Sequence, residues 1–227
     1  MRQHQRSRRS VLQQGLLLGV GGWAALAGCS SVDSPRPVAN PTTTPTGRDA
    51  TTANRILLAY FSRPGENYYY GGRRNLQVGN TEVLARMIAE LIDCDVHRIT
   101  AADPYPASYD ATVARNVREQ NTDARPAIAN PLASIDQYDT VLLGSPIWNV
   151  RPPMIMTTFT QSYDFTGKTV HPFVTYAVSG LGSTQRDYTA SCRGARITPG
   201  LAVRGEEVAE HRAEVETWLR EAGLDTT

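Results

Sequence analysis

The sequence is poor in net charge, cysteine and long apolar runs, and each shortage narrows what the protein can be. Its 227 residues carry a net charge of +1, which gives no reason to expect nucleic acid as a partner. The three cysteines and four histidines show no spacing typical of a metal site. The apolar run at residues 16–26 is interrupted by glycines and is shorter than the ~20 residues that span a bilayer.

Several common catalytic and nucleotide-binding motifs are also missing. No Gly-x-Gly-x-x-Gly follows the first predicted strand and no Walker sequence occurs, so the phosphate loops of dinucleotide-binding and P-loop proteins are not indicated. No set of residues suggests a hydrolase triad. The sequence therefore indicates no catalytic residue and no metal ligand.

The first 53 residues predict an export signal followed by a tether. Residues 1–29 combine a basic start with the apolar run, and SRRSVLQ at residues 7–13 resembles the twin-arginine export motif. LAGC at residues 26–29 resembles the bacterial lipobox, in which Cys29 is lipidated; an uncleaved anchor is the alternative. Residues 30–53 are rich in Ser, Thr and Pro, which predicts a disordered tether. We therefore expect a domain at residues 54–227, anchored to the outer face of the bacterial cytoplasmic membrane.

From residue 55 onward, strand-like and helix-like patterns alternate five times. Strands are predicted at residues 56–61, 96–99, 140–144, 169–178 and 201–204. Helices are predicted at residues 81–93, 109–123, 153–162, 182–193 and 206–222. This alternation predicts right-handed crossovers and a parallel sheet between helices: an α/β, doubly wound, three-layer fold with strand order 2-1-3-4-5. On that fold Cys94 and Cys192 lie on opposite faces, so we expect buried thiols rather than a disulfide.

The carboxyl ends of three predicted strands carry the residues best suited to a ligand. Ligands of a doubly wound sheet bind beyond these ends, so the loops that follow strands one, three and four are expected to converge. In the first loop, residues 79–81 begin a helix whose backbone N–H groups can hold an anion. Asn80 or Thr81 acting as a plain helix cap is the alternative.

These loops resemble the flavodoxin-like FMN-binding family. Ser62 with GNT at residues 79–81 resembles its phosphate loop, and GSPIW at 144–148, SYDFTGK at 162–168 and SGLGS at 179–183 resemble stretches of one branch. The similarity covers nearly all residues from 55 to 224. It implies FMN as the cofactor. The FMN-binding residues implied in this sequence are Ser62, Arg63, Gly79, Asn80, Thr81, Ser145, Pro146, Ile147, Trp148, Asn149, Ser179, Gly180 and Gly182.

Two of these loops offer contacts for a flavin ring. Trp148 directly follows a strand, where its flat ring can stack on the isoalloxazine; a Trp packed in the core is the alternative. Gly180 and Gly182 permit close approach of backbone N–H groups to the ring edge, and a bare turn is the alternative there.

An insertion at residues 63–78 separates Ser62 from Asn80, which are nearly adjacent in ordinary flavodoxins. If its ends return to one place, both residues can still flank one phosphate, because each doubling of loop length adds only ~0.6 kcal/mol of closure entropy. The tyrosines at 68–70 and the arginines at 73 and 74 then form either a flap over the site or a surface excursion without ligand contact.

The resemblance implies an FMN-binding redox protein in electron transfer. Its partner would be a redox protein or a small quinone-like oxidant. Two alternatives stay open: an FMN-dependent quinone or NAD(P)H oxidoreductase, and a non-redox binding module that has lost its flavin.

Overall fold

A computed structural model describes residues 55–224 of the chain. The predicted signal, Cys29 and the tether lie outside these residues. In chain order the elements are β1 (Ile56–Phe61), β2 (Gly65–Tyr69), β3 (Gly72–Leu76), α1 (Asn80–Ala89), β4 (Asp95–Ile99), α2 (Tyr109–Asn121), β5 (Thr140–Pro146), α3 (Met154–Gln161), β6 (Thr169–Tyr176), α4 (Thr184–Ser191), β7 (Arg196–Ile197), β8 (Leu201–Arg204), a 3₁₀-helix (Gly205–Glu210) and α5 (Arg212–Glu221). Within residues 55–224 no helix has the length and apolar character needed to cross a membrane.

The main sheet is parallel, and its strand order confirms the predicted fold class. Strands β4, β1, β5 and β6 are neighbours in that order. The position beyond β6 is shared by two short strands: β7 pairs with the start of β6 and β8 with its end. With β8 counted as the fifth predicted strand, the order is the expected 2-1-3-4-5. All these pairs are parallel, so the carboxyl ends of the strands lie at one edge of the sheet.

Both faces of the sheet are covered by helices, which explains the continuous apolar run in β1. Leu57, Ala59 and Phe61 pack on one face in a cluster with residues of α3 and α4. Leu58 and Tyr60 pack on the other face with residues of α1 and α5. Cys192 is buried in the first cluster and the half-buried Cys94 packs against the second, and both are free thiols.

The predicted helix at residues 206–222 is wrong in its first third. Residues 205–210 form a 3₁₀-helix, and α5 begins only at Arg212. The backbone of His211, with φ −95° and ψ 21°, leaves the helical region between the two. The apolar periodicity of this segment is therefore distributed over two short helices rather than one.

Helix α2 buries polar residues and exposes apolar ones. Thr112, Asn116 and Glu119 face the protein, whereas Val113 and Val117 remain 43% and 39% exposed. Burial of the polar face is tolerated because its groups are hydrogen-bonded. The Thr112 hydroxyl donates to the carbonyls of Pro106 and Ser108, and Glu119 accepts from Tyr105 and Arg115.

Within the segment that the resemblance implies to be an insertion, residues 65–76 form a β-hairpin, for which no regular structure was predicted. Strands β2 and β3 pair antiparallel, from Gly65 with Leu76 to Tyr69 with Gly72. The two-residue turn between them has positive φ at both positions, 44° at Tyr70 and 87° at Gly71. Such a turn matches the right-handed twist of hairpin strands.

Candidate functional site

The chain segments on either side of the hairpin come together beside α1. The Ser62 hydroxyl oxygen accepts a hydrogen bond of 3.1 Å from the backbone N–H of Glu82, in the first turn of the helix. Gly79 immediately precedes the helix, and a Cβ added there would overlap the Ser62 hydroxyl and the carbonyl of Arg63. Glycine at this position therefore allows the serine to reach the helix end.

The amino terminus of α1 offers several hydrogen-bond donors. The backbone N–H groups of Asn80 and Thr81 precede the first intrahelical hydrogen bonds. The hydroxyls of Thr81 and Thr175 lie 2.6 Å apart, so one of their two hydrogens joins them and the other can be donated to a ligand. The positive end of the helix dipole reinforces these groups, and together they form an anion-binding arrangement.

The carboxylate in the first turn of α1, that of Glu82, is paired with arginines. Glu82 is buried, but its carboxylate is paired with Arg86 and, at 3.4 Å, with Arg98. On the other side of the helix end, Arg63 is 7% exposed and its guanidinium donates to the carbonyls of Glu66, Pro106 and Ala107. Burial lowers the pKa of Arg63 from its ordinary value.

A cavity of about 340 Å³ opens at the carboxyl edge of the sheet, next to α1. Its walls come from the loops after β1, β5 and β6, from the hairpin, from α2 and from the start of the 3₁₀-helix. The lining residues are Ser62, Arg63, Asn67, Tyr68, Asn80, Thr81, Tyr109, Thr112, Val113, Asn116, Val117, Pro146, Ile147, Trp148, Asn149, Thr175, Tyr176, Ala177, Gly205 and Glu206. The size is that of a small-molecule site.

Trp148 lines this cavity, and its ring is held in place by contacts with two other aromatic side chains. Its ring makes edge contacts with Phe61 at 5.7 Å and Tyr105 at 5.1 Å between centroids. Tyr105 is fixed in turn, because its hydroxyl donates to Glu119 at 2.8 Å and the Arg115 guanidinium lies 4.0 Å from its ring centre. The indole is thus supported by the core and also borders the cavity, so the two interpretations of Trp148 are not exclusive.

Residues 148–151 form a tight turn whose backbone is held in an unusual conformation. Asn149 and Val150 have φ of 51° and 61°, and this region is strained for a β-branched residue. Gln120 of α2 fastens the turn: its side-chain amide donates to the Trp148 carbonyl at 3.2 Å and accepts from the Asn149 side chain at 2.8 Å. The backbone N–H of Ser183 donates to the Val150 carbonyl at 2.8 Å.

The hairpin bridges the cavity and is anchored on both sides. At its base, the N–H of Glu66 donates to the Ala107 carbonyl at 2.8 Å, and the Glu66 carboxylate accepts from the N–H of Tyr109. At its tip, the N–H and the hydroxyl of Tyr70 donate to the carboxylates of Glu206 and Glu207, respectively. Of the tyrosines and arginines considered for a flap, Tyr68 lines the cavity, together with the neighbouring Asn67.

The structure brings eight of the thirteen predicted site residues together. Those that line the cavity are Ser62, Arg63, Asn80, Thr81, Pro146, Ile147, Trp148 and Asn149. Neither Gly79 nor Ser145 lines the cavity: Gly79 packs closely against Ser62, and Ser145 is fully buried. Ser179, Gly180 and Gly182 do not line the cavity. A Cβ on Gly182 would overlap the Val150 carbonyl, so the close backbone approach that Gly182 permits is to the turn at residues 148–151. The third loop contributes Tyr176 and Ala177 instead.

Sequence reasoning missed the contribution of α2. Tyr109, Val113 and Val117 recur at intervals of four residues and so share one face of the helix, and all three line the cavity. The available signal was an apolar stripe on an otherwise polar helix. Across residues 55–224 no group of His, Cys, Asp and Glu side chains is arranged to hold a metal ion.

The flavodoxin family model matches residues 75–222. The chain belongs to the flavodoxin family. Its match begins inside β3, so Ser62 and most of the hairpin precede the matched region of this flavodoxin-family member. No curated protein matches the chain.

Solved structures with the same fold include several flavoproteins. A candidate flavoprotein from Bacteroides uniformis is 29% identical, with a TM-score of 0.58, over 74% of this chain and 98% of its own. One from Bacteroides eggerthii is 25% identical, with a TM-score of 0.60, over 75% and 99%. A Lactobacillus acidophilus flavoprotein, solved in complex with FMN, is 20% identical, with a TM-score of 0.50, over 70% and 98%; this similarity shows the fold alone.

Proposed function

We propose that this flavodoxin-family chain binds FMN in the cavity and acts as a redox protein in electron transfer. The observation that carries the proposal is the convergence of Ser62, the start of α1 and Trp148 around one cavity at the carboxyl edge of a parallel sheet. That edge is where doubly wound sheets bind nucleotides. The same fold holds FMN in the Lactobacillus acidophilus flavoprotein.

The residues at the start of α1 suit the FMN phosphate. Backbone N–H groups of Asn80 and Thr81, the Ser62 hydroxyl and the hydrogen left over from the Thr81–Thr175 pair are donors for phosphate oxygens. Arg63 adds positive charge nearby, and the Glu82 carboxylate is occupied by arginines. This donor set fits a dianion.

The other end of the cavity suits the flavin ring. Trp148 offers an aromatic surface that its neighbours hold in place, and Pro146, Ile147 and Ala177 add apolar contacts. When bound, FMN supplies electron transfer in steps of one or two electrons, while the protein orients it and controls its access to water.

The decisive measurement compares FMN with riboflavin, which lacks the phosphate. We expect the full-length protein to purify yellow or to quench FMN fluorescence on reconstitution. Thr81→Ala should weaken FMN by about tenfold or more, because its hydroxyl belongs to the donor set for the phosphate and hydrogen bonds to a charged group are worth about 1.5–3 kcal/mol, and should leave riboflavin affinity nearly unchanged. Equal losses for the two ligands would contradict the phosphate assignment, and a colourless protein that ignores added FMN would contradict the cofactor.

An FMN-dependent oxidoreductase acting on a quinone with NAD(P)H is a second candidate, favoured by the hairpin. The hairpin is anchored at residues 107–109 and at 206–207, so it partly encloses the cavity as a small-molecule site requires. Steady-state consumption of NADH or NADPH with quinone separates the two functions. Turnover supports the enzyme, whereas slow turnover with fast exchange to a protein donor supports the carrier.

We further propose that the protein works outside the cytoplasm, held to the membrane through a lipid on Cys29. The support is the order of motifs in the sequence: a twin-arginine pattern, an apolar run, a lipobox and a tether rich in Ser, Thr and Pro. Twin-arginine export suits an FMN protein because that route carries folded proteins already loaded with cofactor. Its partner there is a redox protein or a small quinone-like oxidant.

A further inference from the structure

One wall of the cavity is apolar, exposed and unused by the FMN contacts proposed above. Tyr109, Val113 and Val117, hereafter the α2 wall, lie on one face of α2 and line the cavity. The FMN contacts come from the loops after β1, β5 and β6, whereas α2 follows β4. Val113 and Val117 remain 43% and 39% exposed, although an apolar helix face normally packs against a core.

We propose that the α2 wall binds a planar, uncharged aromatic carbonyl compound, such as a quinone, beside FMN. The inference rests on the proposed function and deepens it by assigning the residues that select this co-substrate. A planar aromatic molecule matches the two valines and the Tyr109 ring, which offer flat apolar surface. Asn116 also lines the cavity, and its side-chain amide can donate a hydrogen bond to a carbonyl oxygen.

The charges around the cavity favour an uncharged occupant at this wall. Only two of the lining residues, Arg63 and Glu206, carry a formal charge. Arg63 donates to three backbone carbonyls at the base of the hairpin, and Glu206 accepts the N–H of Tyr70 at its tip. Arg73, which lies over the Tyr109 ring, is paired with Asp110 at 3.5 Å. A charged co-substrate held against the two valines would therefore lose hydration without meeting an unpaired opposite charge on the lining residues or on Arg73.

The hairpin favours a small molecule over a protein as the occupant of this wall. Tyr68 of β2 lines the same cavity, and the base of the hairpin is tied to α2. The Arg73 guanidinium lies 3.6 Å from the centre of the Tyr109 ring, which fixes that ring at the edge of the wall. An approaching protein would meet the hairpin first, whereas a small flat molecule needs only the cavity that Tyr68 and the two valines line.

Equilibrium dialysis of menadione against the oxidised, FMN-loaded, full-length protein tests the inference. Val113→Asn/Val117→Asn should weaken menadione by about tenfold, because its apolar contacts are lost, and should change FMN affinity by less than about twofold. Val178→Asn is the matched control: Val178 is 76% exposed, lies outside the cavity lining and should leave both affinities unchanged. A naphthoquinone sulfonate should bind the wild-type protein more weakly than menadione does.

Two results would overturn the assignment. Menadione bound equally by the double variant and the wild type would show that the wall does not contact it. A parallel loss of FMN and menadione would show that the valines contact the flavin itself. If the protein binds no FMN, the proposed function is wrong. Titration of the flavin-free protein with menadione then still tests the α2 wall: menadione binding that depends on the two valines supports the assignment, and no binding overturns it.

Discussion

His171 illustrates how burial changes the pKa of a side chain. It lies on β6, is 2% exposed, and its Nδ1 is 3.0 Å from the Thr198 hydroxyl. Burial, with a smaller contribution from the charge of Arg196, lowers the pKa of His171 to about 4. In the unfolded chain a histidine has a pKa of about 6.5, so between these values the unfolded state binds more protons than the folded state.

Folding stability should therefore fall as the pH drops below 6.5. Between pH 7 and pH 5 the contribution of His171 amounts to about 2 kcal/mol, and the loss is complete only below its folded pKa. Urea unfolding at the two pH values measures it, and His171→Gln should remove this part of the dependence. His97, whose pKa is also lowered by burial, is still present in that variant, so its own contribution to the pH dependence should remain. An unchanged pH dependence in His171→Gln would contradict the prediction.

At the scale of elements, the packing of β5 against β6 depends on one glycine. Gly144 of β5 is paired with Phe173 of β6, and a Cβ added to Gly144 would overlap the phenyl ring. Phe173 is fully buried, so it cannot move aside without disturbing the core. A glycine in a central strand ordinarily weakens it, and here the close approach of a neighbouring ring explains its presence.

Gly144→Ala should lower the free energy of unfolding by about 1–3 kcal/mol, the usual cost of overpacking. Thermal or urea unfolding of the full-length protein measures the change. Gly72→Ala is the matched control, because Gly72 has no positive φ and a Cβ there meets only the Tyr69 carbonyl, at 3.4 Å. Equal effects of the two substitutions would show that the Phe173 ring gives way.

The hairpin can be loosened from the domain without changing the sheet. Tyr70→Phe removes the hydroxyl bond to Glu207, and Arg73→Ala removes the contact with Tyr109. We expect the double variant to show faster amide exchange at residues 65–76 and faster FMN dissociation, with stability changed by less than about 1 kcal/mol. Arg74→Ala is the control, because Arg74 lies over Tyr69 within the hairpin. Unaltered exchange in the double variant would indicate that other contacts hold the hairpin.

At the scale of the whole molecule, the proposed lipid anchor predicts that the position of the protein in the cell depends on Cys29. The cysteine ends the predicted lipobox. Cys29→Ser should abolish labelling with a radioactive fatty acid and shift the protein from the membrane to the soluble fraction of spheroplast lysates, because no lipid can be attached. Arg8→Lys/Arg9→Lys, which alters the predicted export motif, should instead hold the protein in the cytoplasm. Continued membrane attachment of Cys29→Ser would favour an uncleaved anchor.

Most of the fold could be predicted from the sequence because its signals are local. The apolar run of β1 and the helical spacing in α1 depend on neighbours a few residues apart. The structure has β1 at the predicted residues and α1 with ends shifted by a few residues. The 3₁₀-helix and the start of α5 were not predicted, since helical periodicity continues through His211 although the backbone does not.

The residues of the candidate site also fall into those that the sequence could predict and those that it could not. Ser62, Asn80 and Trp148 could be predicted because they directly flank strands and helices whose order determines where they meet. Val113 and Val117 were missed because a solvated apolar stripe and a cavity wall are identical in sequence. The anchors of the hairpin at Glu206 and Glu207 depend on contacts more than 130 residues apart along the chain, which no local pattern encodes.

The sequence by itself determined the order of strands and helices, the positions of the loops at one edge of the sheet, and the residues offered there. These properties follow from hydrophobic periodicity, turn chemistry and the right-handedness of crossovers, all of which act over short stretches of chain. Only the tertiary structure decided which of those residues enclose a common cavity, that the insertion crosses it, and that α2 turns its valines towards it. Those outcomes depend on packing between distant segments, where burial and hydrogen-bond partners become defined only once the chain has folded.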